Sequence, residues 1–144
     1  MRINEVIQSK GSSVITARTG QSVAELISLL NDNRIGAVVV TDDGETVTGV
    51  AGERDVVRAL AEHGAGALEK TIGEVMGSEV HTCKPDDDVA DVAGAMTEHR
   101  SRHVPVMEEG HFVAIVSIGD IVKSRIDQLE SERGHLVNYL HGKE

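Results

Sequence analysis

The feature that most constrains this chain is that it nearly repeats itself. Shifted by 66 residues, Val14-Ile15-Thr16 falls on Val80-His81-Thr82, and Val23-Ala24-Glu25 falls on Val89-Ala90-Asp91. The same shift places Arg34 on Arg100, Val38-Val39-Val40 on Val104-Pro105-Val106, and Gly44 on Gly110. One deletion in the following turn reduces the shift to 65, after which Asp55 meets Asp120 and Val57 meets Val122. A leader repeats as well, Ile3-Asn4-Glu5-Val6 resembling Ile72-Gly73-Glu74-Val75. Two copies are too few to stack as a solenoid. Alone, a copy of roughly seventy residues buries only a marginal core, so the two are expected to close on each other as a pseudo-twofold pair. The copies divide into 1–66 and 67–144.

Each copy reads the same way. A short strand, Val14 to Ala17 or Val80 to Cys83, precedes a helix with apolar residues at helical spacing. These are Val23, Leu26, Ile27 and Leu30 in the first copy, and Val89, Val92, Ala93 and Met96 in the second. Ser22 stands where an N-cap belongs, with Glu25 three residues on, and Asp86 to Asp88 crowd the second helix start. A continuous apolar strand follows, Ala37 to Val40 or Val104 to Met107. It leads through an acidic glycine turn into a second strand, Val47 to Ala51 or Phe112 to Val116. A second helix begins at Glu53 or Ile118. The fold class expected is α/β (α+β), two β-α-β-β-α motifs packed through their sheets. The unbroken apolar strands imply that helices cover them.

Composition then removes several function classes. With 24 acidic against 14 basic side chains the net charge is -10, which disfavours binding to a nucleic-acid backbone. One cysteine, Cys83, excludes an internal disulfide and a zinc site of several thiolates. No apolar run approaches the length of a membrane span, and Met1-Arg2-Ile3-Asn4 is not followed by a signal-peptide core. A soluble protein of the reducing cytoplasm, away from membranes, is expected. His99, His103 and His111 lack paired metal-ligand spacing, so no metal is expected. Nucleophile-elbow, Walker A and dinucleotide glycine patterns are all absent, which argues against an enzyme.

Two junctions are polar beyond what propensity requires. At Ser117-Ile118-Gly119-Asp120, a helix start with a hydroxyl can receive a phosphate, and a carboxylate one turn in suits a ribose diol. The same residues also serve simply as a cap and a dipole complement. At Arg100-Ser101-Arg102-His103, leading into a strand, the donors of Arg102 and His103 suit a phosphate. A solvated helix end is the competing account, and it fits Arg100 better than Arg102.

The tandem strands ending in Gly-Val-Ala-Gly-Glu-Arg-Asp (49 to 55) and Ala-Ile-Val-Ser-Ile-Gly-Asp (114 to 120) resemble the cystathionine-β-synthase (CBS) domain. A pair of these forms a Bateman module, and Arg102-His103-Val104-Pro105-Val106 is similar to stand-alone bacterial CBS-pair proteins. The resemblance implies a regulatory module without catalysis, binding AMP, ADP, ATP, NAD(H) or S-adenosylmethionine between the copies. It implies adenine against Gly11 to Ile15 and Ile35-Gly36-Ala37, and ribose on Asp120. Phosphate would lie toward Ser117, Arg102 and His103, with Lys10, Arg54 and Arg58 as further contacts. Gly52 stands where the family commonly has Ser or Thr, so a second site around Asp55, Arg54 and Arg58 is expected to be weaker or empty. With no Trp and only Phe112 and Tyr139 as aromatics, aliphatic walls rather than stacking would hold the base. The last helix continues past the repeat with Val122, Ile126, Leu129, Leu136 and Leu140 on one stripe, and the resemblance implies a homodimer. An effector protein would lie on another chain. The alternatives are a structural dimerisation protein with an empty cleft and an enzyme acting on the nucleotide.

Overall fold

The two leaders fold as helices, and each completes the core of the other copy. In the computed structural model, which describes residues 1–11, 13–77 and 79–141, α1 spans Ile3–Lys10. Its Ile3 and Val6 are buried with Cys83, Val89, Val92, Met96, Val104, Val116 and Ile121 of the second copy. The second leader's helix, Ile72–Val75, is capped by the Thr71 hydroxyl, which accepts from the Glu74 N–H at 3.3 Å. Ile72 joins Ala17, Leu26, Val38 and Ala51 of the first copy, while Val75 packs with Val23 and Ala59. The main chain repeats the exchange. Ile3 N–H donates to the Asp87 carbonyl at 3.0 Å, and Ile72 N–H donates to its counterpart, the Gln21 carbonyl, at 2.8 Å.

Around this exchange the expected elements form twice. In the first copy β1 (Thr16–Ala17) runs parallel to β2 (Ala37–Val40), which pairs antiparallel with β3 (Gly49–Gly52). Helix α2 (Val23–Asn33) opens on Ser22, whose hydroxyl accepts from the Glu25 N–H at 3.1 Å. Helix α3 (Glu53–His63) leads into a 3-10 turn, Gly64–Glu69. Counting the second leader as α4, the second copy has α5 (Val89–His99), β4 (His103–Glu108), β5 (His111–Ser117) and α6 (Ile118–Leu140). Strands β4 and β5 pair antiparallel.

One detail departs from the sequence reading. The strand expected over Val80 to Cys83 is a single bridge: Cys83 N–H donates to the Pro105 carbonyl at 3.0 Å, and the Met107 N–H donates to the Cys83 carbonyl at 2.8 Å. His81 is instead stacked on His99, ring centroids 3.8 Å apart, and Pro85 has no N–H with which to extend a ladder. The repeated Arg34 and Arg100 are the residues that end α2 and α5, both in the left-handed region at φ 53° and 55°. Among the described residues no helix is long and apolar enough to cross a membrane.

Ile3 and Ile72 are both fully buried. Replacing either with Ala should lower stability by about 2–5 kcal/mol, the usual cost of truncating an enclosed isoleucine. Urea unfolding should show the midpoint falling in both variants; an unchanged midpoint for Ile3→Ala would refute the structural role given to the first leader.

Candidate functional site

The leader exchange carries Lys10, the last residue of α1, to the start of α6. There its ammonium donates to Asp120 Oδ2 at 2.7 Å and to the Ile115 carbonyl at 2.6 Å. Ser117 and Asp120 close the helix start reciprocally. The Ser117 hydroxyl accepts from the Asp120 N–H at 3.0 Å, and the Ser117 N–H donates to Asp120 Oδ2 at 2.9 Å. Among the described residues Asp120 Oδ1 accepts no hydrogen bond. Partial burial pushes the Asp120 pKa up, but the Lys10 ammonium and the Ser117 donor outweigh it and hold the carboxyl below its ordinary range. A carboxylate kept ionised, with one oxygen uncommitted, is suited to accept from a vicinal diol.

His103 opens β4 and faces the first copy. A Cβ added to Gly36 would lie 3.1 Å from His103 Cε1 and 3.2 Å from Nε2, so the ring that approaches Gly36 is this imidazole. Burial, and then the neighbouring Lys10 charge, lower the His103 pKa below 6.5 against the opposing pull of Asp120 and Glu53. The ring is therefore neutral near pH 7. Ile15 and Ile35 are half-buried at the rim of the first core, where Ala37 is enclosed. Gly11 ends α1 at φ 98°, a conformation that favours glycine, with no atom among the described residues close enough to crowd a side chain. Ser12, inside the segment expected against the base, lies outside the described residues. The structure thus gathers Lys10, Ser117 and Asp120 at the start of α6, with His103, paired to Ser117 across the strands, reaching Gly36.

Arg102 does not join that group. It lines a groove of ≈ 360 Å³ with Arg54 of the first copy and with Arg100, Ser101 and Ile118. None of the three arginines forms an ion pair among the described residues. Arg100 is the member that sequence reasoning left at a helix end. Its backbone does end α5, but that role leaves the guanidinium free, and nothing in the spacing shows which groove it borders.

The pseudo-equivalent site around Asp55 is closed from within. Asp55 Oδ2 accepts from the Gly52 N–H at 2.9 Å, and Oδ1 accepts from Arg58 Nη2 at 2.7 Å. Arg58 is also tied to the Val75 carbonyl at 2.7 Å. At Gly52 a Cβ would lie 2.5 Å from the Gly36 carbonyl oxygen and 3.0 Å from Ala37 Cβ, so the pairing of β2 with β3 leaves no room for a hydroxyl side chain.

Comparison with known proteins agrees with this architecture. A crystal structure of a CBS-domain containing protein from Agrobacterium tumefaciens superposes with a TM-score of 0.84 at 38% identity, covering 87% of this chain and 99% of that one. The CBS domain pair of protein MJ0100, in complex with 5′-methylthioadenosine and S-adenosyl-L-methionine, superposes with a TM-score of 0.78 at 26% identity over 89% and 98% of the two chains. A CBS domain-containing protein of Bacillus subtilis is 25% identical over 96% of this chain and 97% of its own length. The CBS domain model itself matches twice, at residues 5–62 and 72–127. The chain belongs to the CBS domain family and carries two of its domains in tandem.

Proposed function

We propose that this protein is a non-catalytic sensor of an adenosine-containing nucleotide, bound between the two copies, acting in the cytoplasm as a homodimer on a separate effector protein. The observation that carries the reading is the cluster of Lys10, Ser117 and Asp120 at the start of α6, opening toward His103 and the Arg54–Arg100–Arg102 groove. In the bound state the ribose hydroxyls donate to Asp120. The base rests against Ile15 and Ile35, and the phosphates take up Lys10, His103 and Arg102. Lys10 then exchanges one anion for another. It leaves the Asp120 carboxylate as the diol arrives and turns to the phosphate, so that no charge is stranded. The adenosyl ligands on the CBS pair of MJ0100 support this ligand class.

The first test is a thermal-shift screen against AMP, ADP, ATP, NAD, NADH and S-adenosylmethionine, with assay of the best binder for product. Stabilisation without turnover is expected; no shift with any of them would leave a purely structural dimer, and turnover would make the chain an enzyme. By calorimetry, Asp120→Ala should weaken the best binder by about 1–3 kcal/mol through loss of a charged hydrogen bond. Asp55→Ala should change affinity far less, because both Asp55 oxygens are already held by Gly52 and Arg58. Equal losses at the two positions would overturn the assignment of one principal site.

A pH dependence follows from His103. Its folded pKa lies below 6.5, and a phosphate beside the ring would raise it. A group whose pKa rises on binding makes affinity increase as pH falls, so ATP should bind more tightly near pH 6.5 than near pH 8. His103→Asn should flatten that profile, and a slope unchanged by the substitution would remove His103 from the phosphate path.

A further inference from the structure

The groove lined by Arg54, Arg100 and Arg102 is out of keeping with the rest of the surface. The chain carries 24 acidic and 14 basic side chains, yet this groove borders on three guanidiniums and no carboxylate. All three are exposed, and none is in an ion pair among the described residues. The hydroxyls beside them donate elsewhere, Thr97 to the Ala93 carbonyl and Ser101 to the His103 carbonyl, each at 3.1 Å. The guanidiniums are therefore the donors left to the groove. Clustered like charges repel, and a set with no counter-charge inside the protein suits an anion from outside.

The repeat supplies a comparison. The equivalent groove of the first copy is lined by Leu30, Arg34, Gly36 and Glu53, which stand where the second copy has Met96, Arg100, Arg102 and Ile118. There one arginine shares the groove with one carboxylate, and the charges balance. In the second copy Ile118 takes the place of the carboxylate, Arg102 takes the place of Gly36, and Arg54 enters from the other copy. Arg100 holds a left-handed backbone, φ 55°, that glycine would adopt at lower cost. The groove adjoins the start of α6. Ile118, which lines it, follows Ser117 directly, and its N–H donates to the Arg102 carbonyl at 2.8 Å. One or two bidentate guanidiniums fully engage a single phosphoryl group, so three call for a chain of them.

We propose that this groove holds a chain of two or three phosphoryl groups, and that it turns the nucleotide site toward ADP and ATP and away from AMP and S-adenosylmethionine, whose sulfonium it repels. The preference among nucleotides rests on the nucleotide reading; the anion site does not. Calorimetry on the full chain, without divalent cations, should give ATP about tenfold tighter than AMP or better, the worth of one charged hydrogen bond. Inorganic tripolyphosphate should bind and compete with ATP. Arg100→Gly removes one guanidinium while suiting the backbone at φ 55°, and Arg54→Gln removes another from the first turn of α3. Each should cut the ratio of ATP to AMP affinity several-fold with unchanged circular dichroism, and Arg100→Lys should restore part of what Arg100→Gly loses. AMP or S-adenosylmethionine binding as tightly as ATP, or a ratio that neither substitution moves, would overturn the phosphate-chain assignment and leave the nucleotide reading in place. Tripolyphosphate binding that weakens in both variants, with no affinity for any adenosyl compound, would uphold the anion site and remove the nucleotide reading. Binding of neither tripolyphosphate nor any nucleotide would overturn both.

Discussion

The interaction on which the rest depends is the burial of each leader in the opposite copy. Ile3 and Val6 fill a cavity among Val89, Met96 and Val116 that the second copy's own strands and helices leave open. Ile72 does the same beneath Leu26 and Val38 of the first copy. Each copy's apolar interior is therefore finished by chain that belongs, in sequence, to the other, and neither 1–66 nor 67–144 encloses its core unaided. The main-chain bonds of Ile3 to Asp87 and Ile72 to Gln21 fix the register of the exchange.

That exchange also makes the two sites unequal. The carboxylates at 55 and 120 sit at matching helix starts, yet their counter-charges come from different places. Asp55 is paired with Arg58, one turn along its own helix, which is tied in turn to the Val75 carbonyl. Asp120 is paired with Lys10, which arrives on the first leader from the other copy. Lys123, the repeat equivalent of Arg58, is exposed and makes no such bridge among the described residues. On the proposed reading, a ligand at Asp120 meets a carboxylate with one oxygen uncommitted among the described residues, while at Asp55 both oxygens are already held.

Much of this architecture was legible in the residues. The repeat set the number of motifs, and the starts of α3 and α6 fell at Glu53 and Ile118 as periodicity and turn residues indicated. What local sequence could not show was which partner each group meets. His103 lies over Gly36, and at Gly52 a Cβ would stand 2.5 Å from the Gly36 carbonyl oxygen. Both constraints are set by residues far along the chain. The surroundings of Arg58 and Arg100 were hidden for the same reason. A guanidinium on a helix can bridge a neighbouring carboxylate or face a groove, and only the fold decides between them.

The strongly negative net charge bears on rate more than on affinity. At physiological ionic strength exposed charges are screened over about 8 Å, so most of the acidic surface contributes little at the cleft. The basic groups around the β4 start are local: Lys10 and His103, with Arg54, Arg100 and Arg102 along the adjoining groove. At long range the acidic bulk slows the approach of any anion, and for an extended polyanion such as nucleic acid that repulsion is multiplied along its length. A mononucleotide presents its few charges at one point, inside the screening length of the arginines. Under the proposed reading, a surface charge that disfavours a nucleic-acid backbone is compatible with a single nucleotide at this cleft, where the spacing of local charges counts for more than their sum.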